Sequence, residues 1–233
     1  MEILPYLAVT GAELRENPTF PYPIAWLSCQ FSARHQGLSN LPTAMPRESM
    51  VIISDQIPFQ GHDIALMYQQ VMQLISFESP SKILLDFQRE YTESLEELVD
   101  AFLQLPCPVA VSEAYSHNRD CPVFLSCPPL HIPLTDYLQP WKHREIWLEI
   151  APAGALYRIT ESGCTVTPCP IKTEDSFPHH NSSPPLRYGL SETEDAVIFH
   201  LQRGKEEIDS MLKQAERCGI HTAVGLYQEL HKL

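Results

Sequence analysis

The feature of this chain that most limits how it can fold is a series of short apolar runs, most of them stopping at a polar residue. The runs are Ile24 to Cys29, Met50 to Ser54 before Asp55, Ile83 to Leu85 before Asp86, and Val109 to Val111 before Ser112 and Glu113. They continue with Val123 to Leu125 before Ser126, Ile146 to Leu148 before Glu149, Val197 to Phe199 before His200, and Ala223 to Tyr227 before Gln228 and Glu229. Runs that are apolar throughout, rather than alternating, belong to strands buried on both faces, as in parallel sheets.

Helix-period stripes separate several of these runs. Leu95, Leu98, Val99, Phe102 and Leu103 form one, with Ser94 and Glu97 spaced as a capping box and Pro106 as its stop. Ile64, Met67, Val71, Leu74 and Ile75 form a second. A third runs through Ile208, Met211, Leu212 and Ala215, with Arg217 in the last turn and Gly219 as C-cap.

Strands alternating with helices predict an α/β fold, and eight runs are enough to close a (β/α)8 TIM-like barrel over residues 1–233 as one domain. The barrel is expected to be irregular. Only Ala114 to Asp120 separate the fourth and fifth runs, too few for the helical crossover that joins parallel strands, so one crossover helix is missing. Around Glu161-Ser162-Gly163-Cys164 the pattern alternates, predicting a β-hairpin over Gly154 to Cys169, and Pro170 to Pro185 reads as a loop, long enough to be mobile or, the favoured reading, to cover one mouth of the barrel. Hairpin and loop together form an insertion at about 154–185.

A formal net charge of −13, with no run of Lys or Arg, argues against nucleic acid and anionic lipid as partners. The seven cysteines are odd in number and scattered, several inside apolar runs, which fits reduced thiols. The start Met-Glu-Ile-Leu-Pro-Tyr carries no basic region followed by an apolar stretch, and no run of 18 apolar residues occurs. A cytoplasmic location, with no membrane partner, is the expectation. Gly-x-Ser-x-Gly, Gly-x-Gly-x-x-Gly and phosphate-loop signatures are absent, so no cofactor is expected. Nothing in the sequence sets the oligomeric state.

In barrels and open parallel sheets, ligands bind at the carboxyl ends of the strands, where loops converge above an apolar interior. Asp55, Asp86, Glu113, Glu149 and Glu229 all stand at that edge. A single strand-end acid often only caps the next helix; five together point to a site. Carboxylates that share a cavity repel one another and favour keeping a proton, the arrangement used for acid–base work on glycosidic bonds. Tyr91, Tyr115, Trp147 and Tyr227 flank strand ends and are candidates for stacking on sugar rings, packing within the fold being the competing reading. Gln228 joins the substrate-binding candidates by position.

The string Ile83-Leu84-Leu85-Asp86-Phe87-Gln88-Arg89-Glu90-Tyr91 resembles the signature of family 18 glycoside hydrolases, the chitinase-like (β/α)8 barrels, in which an apolar strand ends in Asp-x-Asp-x-Glu and an aromatic residue follows. The resemblance implies Glu90 as the acid that protonates the glycosidic oxygen, Asp86 as a supporting acid and Gln88 in the position that orients the substrate's acetamido group. In that family the motif lies on the fourth strand, whereas here it ends the third of the counted runs. Gln88 is also a departure: an amide hydrogen-bonds an acetamido group but brings no negative charge to the cation that develops during cleavage.

The expected ligand is therefore a carbohydrate or other small molecule, with Asp86, Glu90, Glu113 and Glu149 as catalytic candidates and Asp55, Gln88, Tyr115, Trp147, Tyr227, Gln228 and Glu229 around them. Glu90 or Glu113 would serve as general acid. Two alternatives stay open: a catalytically silent barrel that binds a ligand or acts as scaffold, and a metal-dependent hydrolase in which His179 or His180 joins strand-end carboxylates. No metal ligand set has the spacing to be assigned.

Overall fold

Apolar on both sides, the strands of this chain need a layer inside and a layer outside, and a closed barrel ringed by helices supplies both. The computed structural model describes residues 3–16, 23–31, 38–39, 48–54, 69–73, 76, 80–88, 93–172 and 177–231. Its strands begin with β1 (Tyr6–Val9), β2 (Ile24–Phe31), β3 (Leu38–Ser39), β4 (Met50–Ser54) and β5 (Lys82–Asp86). Next come β6 (Val109–Ser112), β7 (Val123–Leu125) and β8 (Ile146–Glu149), followed by β9 (Ala153–Thr160) and β10 (Gly163–Pro168). The last are β11 (His179–Ser182), β12 (Pro185–Glu192), β13 (Val197–Arg203) and β14 (Thr222–Leu226). Strands β1, β2, β4, β5, β6, β7, β8 and β14 pair side by side in that order, all parallel, and β14 pairs back onto β1. This is a closed eight-stranded TIM-like barrel.

The register explains the runs. Leu84 points into the barrel with Tyr6, Met50, Phe124 and Trp147, while its neighbours Ile83 and Leu85 pack outward with Leu95, Leu98, Val99 and Phe102 of the helix Glu93–Phe102. On the opposite side Ile208, Met211 and Ala215 of the helix Lys205–Arg217 pack on Val123, Leu125 and Leu148. That helix ends in a Schellman arrangement: the Gly219 and Ile220 amides donate to the carbonyls of Glu216 and Ala215 at 3.0 Å each, and Gly219 adopts φ +81°, where a side chain would be strained. From the second predicted stripe only residues 69–73 and 76 are described; all are helical, and Val71 is fully buried.

Two expectations need correction. Val197 to Phe199, counted with the barrel strands, belongs to β13 in a second sheet, where its residues are only half-buried. A three-residue apolar run cannot tell a strand buried on two faces from one buried on part of a face. The eighth barrel strand is instead β1, four buried residues followed by the helix Gly11–Glu16, whose capping box has the Thr10 amide donating to Glu13 Oε2 at 2.6 Å and the Glu13 amide to Thr10 Oγ1 at 3.4 Å. With β1 in place, β5 is the fourth barrel strand in chain order, not the third.

The inserted hairpin is real but is part of something larger. Strands β9 and β10 pair antiparallel as predicted, and they extend into a five-stranded antiparallel sheet, ordered β10-β9-β13-β12-β11, that reaches Arg203. The segment read as a covering loop contains β11, paired with β12.

The missing crossover helix is confirmed. Between β6 and β7 stands only a short 3₁₀ turn, Glu113–Tyr115. Tyr115 and Cys121 fill the outer core where a helix would pack, and two arginines hold the short connection. Arg119 pairs with Glu96 and with Asp100, the latter at 2.8 Å, and donates to the Tyr115 carbonyl. Arg144 donates to the carbonyls of Arg119 at 2.6 Å and Cys121 at 2.8 Å.

Candidate functional site

Alternation along a barrel strand sends every second residue inward, so the last inward residue of each strand meets the mouth. On β4, β5 and β8 these residues are Ser54, Asp86 and Glu149, and all three line one cavity of about 180 Å³ at the carboxyl end of the barrel. Gln88, just beyond β5, lines it too, and Phe124, Leu84 and Val224 form its apolar floor.

The polar groups are held by short local bonds. Gln88 donates its amide Nε2 to Asp86 Oδ1 at 2.8 Å, so the two residues act as one hydrogen-bonding unit. The chain between them is pinned from β6: the Phe87 amide donates to Ser112 Oγ at 2.9 Å, and that hydroxyl donates to the Leu85 carbonyl at 3.1 Å. Across the mouth, Glu149 Oε2 accepts the Cys127 backbone amide at 3.0 Å. The two carboxylates thus enter the cavity from β5 and β8, each with a partner that limits its rotamers.

Tyr137 stands beside this corner, its hydroxyl donating to the Ser126 carbonyl at 2.9 Å. Its phenol is pushed up to about 12, chiefly by burial, with the charges of Glu113, Cys127 and Glu149 adding to the effect. It therefore stays a neutral hydrogen-bonding group near neutral pH. Burial likewise raises the Cys127 thiol, against the pull of the Arg203 guanidinium.

Of the residues singled out in the sequence, Asp86, Gln88 and Glu149 are brought together. Glu113 is exposed on the 3₁₀ turn, where its charge reaches Tyr137. Glu229 is half-buried, and its charge reaches Cys127; Gln228 is exposed. Tyr227 leans on His231, ring centroids 5.0 Å apart, and packs against Leu7, Val9 and Ile24. Asp55, Glu90 and Tyr91 lie outside the described residues.

Trp147 and Tyr115 are packing residues. Trp147 is fully buried on the same inward face as Glu149 but two residues earlier, one layer below the mouth, with its indole Nε1 donating to Glu145 at 3.0 Å. Tyr115 is 1% exposed on the outer side of the barrel and meets Phe87 edge-on. His179 and His180 lie on β11, an outer strand of the second sheet: His179 stacks on Tyr188, and His180 faces Glu207 at 3.4 Å. Among the described residues no three His, Cys, Asp or Glu side chains gather as a metal site.

Sequence reasoning missed Ser54 and Tyr137 as neighbours of the site, and Ser112 as the staple behind it. Ser54 and Ser112 were visible as run-ending residues, whereas Tyr137 reaches the corner from the short helix Leu134–Leu138, which carries no motif.

No family model and no curated protein matches the chain. Among solved structures, it resembles the Bacillus cereus spore cortex-lytic enzyme SleL with a TM-score of 0.55 at 10% identity, over 97% of this chain and 71% of that one. The Bacillus megaterium QM B1551 spore cortex-lytic enzyme SleL matches with a TM-score of 0.51 at 9% identity, over 96% and 70%. At such identity the likeness is one of fold. No described helix is long and apolar enough to cross a membrane.

Proposed function

We propose that this barrel is a carbohydrate-active protein that takes an N-acetylated sugar ring into its carboxyl-end mouth and hydrolyses the adjoining glycosidic bond. The observation that carries this reading is the cavity shared by the hydrogen-bonded Asp86–Gln88 unit and Glu149. At about 180 Å³ it falls below the roughly 300–1,000 Å³ of common small-molecule pockets, a size for one ring of a longer chain. Its apolar floor suits the flat face of a pyranose and its acidic rim suits hydroxyls and an amide, whereas a polyanion would be repelled by a chain of net charge −13.

The resemblance of the Asp86 to Tyr91 string to the chitinase-like signature supplies the roles, and the fourth-strand position of β5 supports it. Glu90 is the general acid, Gln88 orients the acetamido group, and Asp86 with Glu149 offsets the developing positive charge. The two solved structures it resembles in fold are named spore cortex-lytic enzymes, and the acetamido-orienting position implied at Gln88 makes chitooligosaccharides the first substrates to test.

A second reading, a binding barrel without turnover, is favoured by one observation, the neutral amide at Gln88. Calorimetric titration with chitooligosaccharides, together with product release from a chromogenic N-acetylglucosaminide, separates the two. Binding with turnover that is lost in Glu90→Gln supports hydrolysis. Binding alone in the unaltered protein supports the second reading, and the absence of both overturns each.

A further inference from the structure

Arg203, the last residue of β13, is 5% exposed and therefore carries a positive charge into the protein interior. Among the described residues its partners are carbonyls and sulfurs, not carboxylates. Nε donates to the Ala151 carbonyl at 3.1 Å, both terminal nitrogens donate to the Pro128 carbonyl at 3.1 Å, and Nη2 reaches the Cys127 thiol at 2.9 Å. Nη1 also lies 3.7 Å from the Met211 sulfur. A buried cation is costly when only neutral acceptors meet it, and what offsets that cost here is a fork of donors that fixes several segments at once.

The segments it fixes are those on either side of Glu149. Cys127 and Pro128 follow β7, Ala151 follows β8, and the Cys127 amide is the donor to Glu149 Oε2 at 3.0 Å. Cys127 Sγ also accepts the Ala151 amide at 3.3 Å, so the thiol is a second tie between the same two loops. We propose that Arg203 is a positioning residue for Glu149: from the inserted sheet it locks the loops after β7 and β8, so that the Cys127 amide holds one carboxylate oxygen of Glu149 in the mouth. The inserted sheet is then part of the site, tied to it a second time where Tyr157 and His131 Nδ1 hydrogen-bond at 2.8 Å. A role for Glu149 towards a sugar rests on the proposed function; the coupling of Arg203 to Glu149 does not.

The test follows the Cys127 backbone amide by proton–nitrogen correlation spectroscopy as the pH is lowered from 7 to 3. An amide bonded to a carboxylate moves as that carboxylate gains its proton. Glu113 and Glu229 also act on this corner, so Glu149→Gln identifies the part of the step that belongs to Glu149. In Arg203→Met that part is expected to be lost, while the Phe87 amide, pinned from β6 on the other side, keeps its position. Arg203→Lys, with one point of charge in place of the fork, should restore part of the step, and it carries the test alone if the methionine variant does not fold. A folded Arg203 variant that keeps the whole Cys127 step overturns the proposal.

Chitooligosaccharide affinity, measured in the same proteins, should fall about tenfold in Arg203→Met, within the range that misplacing a site group costs. If the unaltered protein binds no sugar, the carbohydrate reading fails while the amide step still decides the coupling.

Discussion

Gln88 donates to Asp86 at 2.8 Å, and under the proposed function this bond limits the chemistry of the mouth. An amide orients a polar group but cannot share a proton with the neighbouring acid or carry charge towards a cation. Replacing it with a carboxylate should therefore raise turnover: Gln88→Asp is expected to increase the initial rate on a chromogenic N-acetylglucosaminide by about tenfold or more, within the effect of one electrostatic group. An unchanged rate would mean that the position takes no part in the chemistry. At this scale the sequence was informative where chemistry is local. Asp86 and Gln88 are two apart in the chain and meet in the fold, and Glu149 is reached by counting to the end of a run. Trp147 misled because strand position does not give depth: it shares the inward face with Glu149 but sits about 7 Å lower, two residues at the strand rise, inside the packed interior. Arg203 and Cys127 are 76 residues apart, and no pattern in the chain announces their contact.

Among the elements, the helix Glu93–Phe102 was legible because its stripe is long enough to fix the period, whereas β13 was misassigned because three apolar residues fix none. The second sheet has a pH response of its own. His200 on β13 is pushed below its ordinary value of 6.5, first by burial and then by the Lys172 cation, and its ring lies 6.4 Å from that of Phe177. A depressed folded-state value means that the unfolded chain binds the proton more readily. The contribution is complete above about 6.5 and is lost as the pH falls from there through the folded value. Thermal unfolding of the unaltered protein should therefore move to lower temperature between pH 7 and 5, and His200→Phe should flatten that slope. An identical slope in the variant would assign the loss to other groups. The Asp195 carboxylate, held low by Thr193 and Arg158, adds a loss of the same sign at more acid pH.

The whole molecule is a closed barrel whose mouth is flanked on one side by an inserted sheet, and the barrel was readable because its central strands, such as β4, β5 and β6, pack on both faces. The identity of its eighth strand was not: β1 is a four-residue strand near the start of the chain, and only its pairing with both β2 and β14 shows it to be the eighth stave. Nor was the sheet's size readable, since β9 and β13 pair across a long stretch of intervening sequence. The proposed function requires a sugar ring to sit in the mouth between β5 and β8. Its most direct measurement is a crystal structure of the protein soaked with a chitooligosaccharide. One ring is expected over the apolar floor of Phe124 and Val224, hydrogen-bonded to the Asp86–Gln88 unit and to Glu149. A sugar seated elsewhere on the barrel or on the inserted sheet, with that cavity unoccupied in the soaked crystal, would contradict it.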